Sequence, residues 1–351
     1  MAMPAERSVT IKDVALHASV SVATVSAVMN ENKYVSPELA QRVRESIATL
    51  GYQRNSFARG LKTQISHSIG LIVPDITNPF YTNIARGVED VAHTHNYSLI
   101  LGNTNEDSEK EKRYLQLLES KQADGLIIAV TDHSYEYLQS LPLQHLALVS
   151  IDRSLFDLGI DTVMVENRIG ARTAIEHLIT LGHSRIGLVS GVRGIAPTEE
   201  RIQGYTDALA QHGLAVDPAL IAMMRPRVDG GERGAMQLLA LENRPTALFM
   251  MDGTMVTGAL QAIARCGLRC PEDIAIACFD DFTWAPVMRP HLTVIEQPTY
   301  EIGKQAAYLL FARLQDRARA PQEIRLPTRL IVRESCGAQL HTPDLLGQFH
   351  P

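Results

Sequence analysis

Residues 10–30 read TIKDVALHASVSVATVSAVMN, and the N-terminal part of the fold is decided there. Ile11, Val14, Ala15 and Ala18 recur at helical spacing, with Thr10 where an N-cap belongs. Ser19-Val20-Ser21 makes a turn holding one aliphatic residue. A second short helix follows over residues 22–30, with Val22, Val25 and Val28 or Met29 turned inward. Two helices this short cannot bury a core alone, and residues 36–50 supply the third. It opens with Ser36 as N-cap and Pro37 at the first helical position, and it stops at Gly51. Its apolar stripe is Leu39, Val43, Ile47 and Leu50. Three such helices with a tight turn between the first two predict a helix-turn-helix, whose second helix enters the DNA major groove. Ala23, Thr24, Ser26 and Ala27 are the exposed, small or polar residues expected to approach base edges. Any small three-helix bundle would share the same periodicity.

Working outward, charge separates this head from the rest. The chain has 351 residues and a net charge of -6, which taken whole argues against a polyanion-binding protein. Residues 1–65, however, carry eight Lys/Arg against five acids, leaving 25 bases and 34 acids beyond them. A basic head on an acidic body suits a nucleic-acid-binding module joined to something else. The length predicts two or three domains. Four cysteines, Cys266, Cys270, Cys278 and Cys336, lack a second Cys/His pair at zinc spacing, so reduced thiols and no metal site are expected. No apolar run approaches membrane-spanning length and the N-terminus has no apolar signal core, so a cytoplasmic location is expected.

From residue 66 the pattern alternates between strand and helix. Apolar runs at 69–73, 98–101, 125–129, 147–151, 186–189, 247–251 and 274–279 are separated by amphipathic helices, so parallel sheets are expected, divided near residue 165. Ligands of open α/β sheets sit at the carboxyl ends of strands. That rule selects Asp75, Asn78, Phe80 and Tyr81 after the first strand, and Asp152 and Arg153 after the fourth. It also selects Asp252, Asp280 and Asp281, with Arg201 opening a helix across the cleft. Aromatic faces with carboxylates and arginines suit a sugar or sugar acid. For each polar residue, helix capping or ion pairing remains the alternative.

Residues 10–63 resemble the DNA-binding head of the LacI/GalR family of bacterial transcription repressors. The likeness rests on Asp13-Val14-Ala15, Val20-Ser21, Thr24-Val25-Ser26, Asn30, Val35-Ser36, Leu50-Gly51-Tyr52 and Asn55 with Ala58-Arg59-Gly60-Leu61. The resemblance adds Thr10, Ser21, Val22, Asn30, Tyr52, Asn55, Ala58, Arg59 and Leu61 to the expected DNA contacts. It also makes residues 55–62 a hinge helix, ordered on DNA, whose Leu61 wedges between base pairs. Many members carry Arg where this chain has Ala27, and Asn-Asp where it has Met251-Asp252, so operator and effector are expected to differ there. The body likewise resembles the family's periplasmic-binding-protein-like core, through stretches such as IGLIVPDITNPFYTNIARGVE (69–89), SIDR (150–153) and LTVIEQP (292–298).

The expected architecture is therefore an all-α helix-turn-helix head on an α/β two-lobed periplasmic-binding-protein-like core. Residues 1–54 form the head, 55–65 the hinge, 66–341 the core and 342–351 a tail. Lobe 1 takes about 66–164 and 297–324, and lobe 2 about 165–296 and 325–341. The implied function is a repressor binding a pseudo-palindromic operator as a homodimer, controlled by a small metabolite in the cleft, without cofactor. The weighed alternatives are control by a phosphorylated carrier protein or a purine, and a solute-binding protein. An enzyme has little support: Gly187, Gly191 and Gly194 miss the dinucleotide spacing, and no phosphate loop appears.

Overall fold

The structure, a computed structural model, describes residues 9–30, 33–52, 65–131, 138, 146–282 and 285–338. It divides into two compact units, Met1–Ser66 and His67–Pro351.

In the first unit, α1 (Ile11–His17) begins with a capping box: the Thr10 hydroxyl accepts from the Asp13 N–H, and the Asp13 carboxylate accepts from the Thr10 N–H at 2.8 Å. Ser19, at φ 51°, turns the chain, and the axis bends by 105° into α2 (Val22–Asn30). That angle is the one a helix-turn-helix requires. The Ser21 hydroxyl caps α2 by accepting from the Thr24 N–H at 3.1 Å. Helix α3 (Pro37–Leu50) ends at Gly51 in the left-handed region. Ser36 occupies its N-cap position without making a side-chain cap bond. Val14, Ala15, Ala18, Val25 and Val43 are the buried centre. The Arg42 guanidinium ties α3 to the turn by donating to the Ala18 carbonyl at 2.6 Å.

The second unit holds two six-stranded sheets among the described residues. The first contains β1 (Ser68–Val73), β2 (Ser98–Asn103), β3 (Gly125–Ile128), β4 (Ala147–Ile151), β5 (Asp161–Val165) and β11 (Glu323–Leu326), in the order β11-β5-β4-β3-β1-β2. The second contains β6 (Ile186–Ser190), β7 (Ile221–Met223), β8 (Ala247–Met250), β9 (Ala275–Phe279), β10 (Thr293–Glu296) and β12 (Arg329–Ile331), in the order β12-β10-β9-β8-β6-β7. Every pairing is parallel except β10 with β12.

Near-continuous apolar strands follow from burial on both faces. In β1, Ile69, Leu71 and Val73 pack toward α4 (Pro79–Thr94) and α10 (Thr299–Gln315), while Ile72 packs on the other face with Leu115 and Leu118 of α5 (Ser108–Ser120). The second sheet is covered in the same way by α6 (Asn167–Thr180) and α7 (Ala196–Gln211) on one face. On the other lie α8 (Val228–Leu239) and α9 (Gly253–Arg265).

The chain passes between the sheets after β5, after β10 and after β11. Strand β5 runs to Val165 and β11 to Leu326, so the first lobe extends slightly past the limits expected at 164 and 324. Helix α7 opens at Ala196-Pro197, which puts Arg201 in its second turn rather than at its start. Pro197, which lacks an N–H, suits the first turn and fixes that boundary.

Candidate functional site

The carboxyl ends of the strands in both sheets converge on one cavity of about 250 Å³. From the first lobe come Asp75, Asn78, Phe80 and Tyr81 after β1, Asn105 and Glu106 after β2, Thr131 after β3, and Asp152 and Arg153 after β4. From the second come Thr198 and Arg201 of α7, Arg225 and Arg227 after β7, Met251 and Asp252 after β8, Asp280 after β9, and Gln297 after β10. Nine of the ten cleft residues expected from the sequence, all but Asp281, therefore line a single cavity.

Their surroundings differ. Asn78 caps α4 by accepting from the Phe80 N–H at 3.0 Å, which sets Phe80 and Tyr81 in the first turn, both largely buried. The Tyr81 hydroxyl donates to Asp152 at 3.0 Å. Burial first, then the Asp152 charge, hold the Tyr81 phenol well above its usual range. Asp152 has φ 62° and Asp280 φ 72°, left-handed values that cost energy outside glycine and cluster at binding sites. Each aims a carboxylate into the cavity from a strand end. Burial raises Asp152 above its ordinary carboxylate value despite Arg153 beside it.

Arg153 is clamped by Glu106, with Nη1 donating at 3.0 Å and Nη2 at 2.5 Å, and it also donates to the Val130 carbonyl. Arg201, only 7% exposed, donates through Nε to Asn167 at 2.8 Å and through Nη1 to the Met251 carbonyl at 2.5 Å. Its guanidinium lies 3.8 Å from the centre of the Phe279 ring. The Met251 side chain is buried in the lobe core, so this position serves the cleft through its backbone. Asp280 accepts from the Gly253 N–H at 3.1 Å and from the Gln297 amide. Asp252 caps α9 through Oδ1, accepting from the Thr254 N–H at 2.8 Å. Burial and the charge on Asp280 push the Asp252 carboxyl up to about 7. Asp75 is half-buried and accepts from Thr77 in its own turn at 2.8 Å. Asp281, flagged with Asp280 from the sequence, is instead paired with Arg333.

Asn105, Glu106, Arg225, Arg227, Gln297 and the supporting Asn167 were not singled out from the sequence. Asn105 and Glu106 have φ 56° and 57° in a tight turn, and no apolar pattern marks such a turn.

On the head, Ser21, Val22 and Ala23 are exposed, and Thr24 and Ser26 half-buried, on the front of α2. Val22 is 41% exposed, against the inward position expected of it, because it opens the helix ahead of the packed stripe. Ala27, expected to be exposed, is buried at 9%. A methyl in mid-helix barely projects past the turns on either side, and this site offers no side chain long enough to read a base. The first turn of α2 carries no acid, which leaves the helix N-terminus free of charge that would repel phosphates. Thr10 and Tyr52 flank the bundle, and Asn30 ends α2. Asn55, Ala58, Arg59 and Leu61 lie outside the described residues.

Comparison with known proteins agrees with this arrangement. Residues 10–55 match the lacI family of bacterial regulatory proteins, and residues 175–336 match the periplasmic binding protein-like domain. The ribose operon repressor of Halalkalibacterium halodurans is 37% identical over 328 residues, 93% of this chain and 96% of that protein. The chain belongs to the LacI family. Among solved structures of LacI-family proteins, a transcriptional regulator from Enterococcus faecium with bound ribose is 30% identical. That match covers 76% of this chain and 98% of the other, at a TM-score of 0.70. The Lac repressor dimer bound to operator and the anti-inducer ONPF is 25% identical over 94% of this chain and 99% of that one, at a TM-score of 0.84. As a LacI-family member the chain is a DNA-binding transcriptional regulator and not an enzyme, and it works in the cytoplasm.

Proposed function

We propose that this regulator is a homodimeric repressor whose two heads read a pseudo-palindromic operator on the nucleoid, and whose cleft binds a sugar or sugar acid that alters operator affinity. The observation carrying the reading is the cavity itself. Carboxylates at 152, 252 and 280, a buried guanidinium at 201 and two aromatic rings at 80 and 81 converge on it. Carboxylates and guanidinium groups make paired hydrogen bonds to ring hydroxyls, and aromatic faces cover the C–H surface of a sugar ring. The E. faecium relative with bound ribose and the operator-bound Lac repressor dimer support both halves of the reading. A two-fold dimer implies two half-sites related by the same symmetry. The head match at 10–55 speaks against a solute-binding protein.

Arg201→Ala tests it. The variant should bind operator as a dimer yet lose its response to effector in a reporter assay. An unchanged dose-response would remove Arg201 from the site.

A further inference from the structure

The inner and outer parts of the cleft differ in how their charges are matched. Inside, both guanidinium groups are already engaged. Arg153 is held by Glu106, with Asp152 at 4.0 Å, and Arg201 is held by Asn167 and the Met251 carbonyl. Asp152, Asp252 and Asp280 add carboxylates there, so the inner end accepts hydroxyls and repels an anion.

At the mouth the balance is reversed. Arg225-Pro226-Arg227 follows β7 and lines the same cavity. Among the described residues neither arginine has a carboxylate within ion-pairing distance. Arg227 donates only to a neutral amide, Asn105 of the opposite lobe, at 3.2 Å. The Arg225 side chain is exposed and makes no hydrogen bond among the described residues. Among the described residues the nearby acids are engaged elsewhere: Asp229 pairs with Arg233 at 2.8 Å, Glu106 with Arg153, and Asp75 caps its own turn. The segment is also stiff, since Pro226 fixes its φ and the Arg227 N–H donates to the Arg225 carbonyl at 2.8 Å. Two guanidinium groups without counter-charge among the described residues therefore flank the opening of a cavity whose floor is built for hydroxyls.

We propose that the effector is a sugar bearing an oxyanion group, phosphate or carboxylate, with its ring against the inner carboxylates and its anion between Arg225 and Arg227. This rests on the sugar reading of the cleft and adds the charge and orientation of the ligand. A planar guanidinium donates in parallel pairs to phosphate or carboxylate oxygens, so two of them on one stiff segment favour the anionic sugar over its uncharged parent. The Arg227–Asn105 contact joins the two lobes, so an anion taking Arg227 as partner acts where lobe closure is set.

The test is calorimetric titration of the full-length protein with D-ribose, D-ribose 5-phosphate, D-ribonate and inorganic phosphate, at low and high salt. The expected result is that one of the two anionic sugars binds at least about tenfold more tightly than ribose, by an advantage that shrinks with salt. Which of the two wins identifies the oxyanion. In Arg225→Gln/Arg227→Gln the ratio of the dissociation constants should fall toward one, and inorganic phosphate alone should bind far more weakly than the better sugar. Ribose binding as tightly as both anionic forms, or a preference unchanged in the double variant, would overturn the assignment while leaving the sugar cleft standing. Phosphate alone matching the sugar phosphate would reduce the pair to an unspecific anion patch and overturn it too. Failure of every sugar, ribose included, would overturn the sugar reading itself and this assignment with it.

Discussion

Glu111, on α5, is fully buried, and its Oε2 accepts from the Thr131 N–H at 2.7 Å while Oε1 has no hydrogen-bond partner among the described residues. Burial pushes its carboxyl up to about 7, against the lowering effect of the Thr131 bonds and of Arg153. The sign follows directly. A carboxyl whose folded value is raised contributes fully below its ordinary value near 4.5, and that contribution is lost as pH rises through 7. Glu111→Gln keeps an acceptor for Thr131 and cannot ionise. Relative to wild type it should gain stability between pH 5 and pH 8, on the order of 1–3 kcal/mol by the later pH. Urea denaturation at the two pH values checks this, and a difference independent of pH would contradict it. Asp152 and Asp280 were legible from the sequence because an apolar run ends immediately before each, and Arg153 because it follows Asp152. Glu111 and Arg225 were not. One is a buried acid within the charged run that opens its helix, and the other follows a three-residue edge strand too short to register as a pattern.

At the scale of elements, α4 and α10 approach closely through two reciprocal glycines. A Cβ on Gly87 would lie 2.2 Å from the Tyr300 carbonyl oxygen, and one on Gly303 would lie 2.1 Å from that of Ile84. Backbone cannot withdraw as a flexible side chain can, so Gly303→Ala should force the helices apart. Overpacking of this kind costs about 1–3 kcal/mol. A lowered denaturation midpoint with unchanged helical circular dichroism is expected, and an unchanged midpoint would show the pair to be loosely packed. The central strands could be read because burial on both faces makes them continuous apolar runs. Strands β11 and β12 are short, half-buried returns with charged residues in them, EIRL and RLI, and no periodicity distinguishes such segments from loop. The position of Arg201 was misjudged by a turn for a related reason: Ala196-Pro197 opens α7 earlier than the charged run 199–201 suggests.

For the whole molecule, labour is divided between the two units: the head reads operator and the core binds the ligand. Deleting residues 1–62 should abolish operator binding and leave ligand binding within a few-fold, and a truncated chain that still shifts operator would contradict the assignment of reading to the head. Contacts to phosphate should also make wild-type affinity fall steeply with salt. Coupling between the units is reciprocal: a cleft ligand that changes operator affinity must have its own affinity changed by operator to the same degree. The most direct measurement is the operator-binding isotherm of the full-length protein, on a duplex it selects from a randomised pool, with and without a sugar saturating the cleft by calorimetry. The expected result is a pseudo-palindromic selected site and a ligand-dependent change in affinity of roughly 5–150-fold, matched by the reciprocal shift in sugar affinity and absent in Arg201→Ala. Superimposed isotherms at saturating sugar would contradict it.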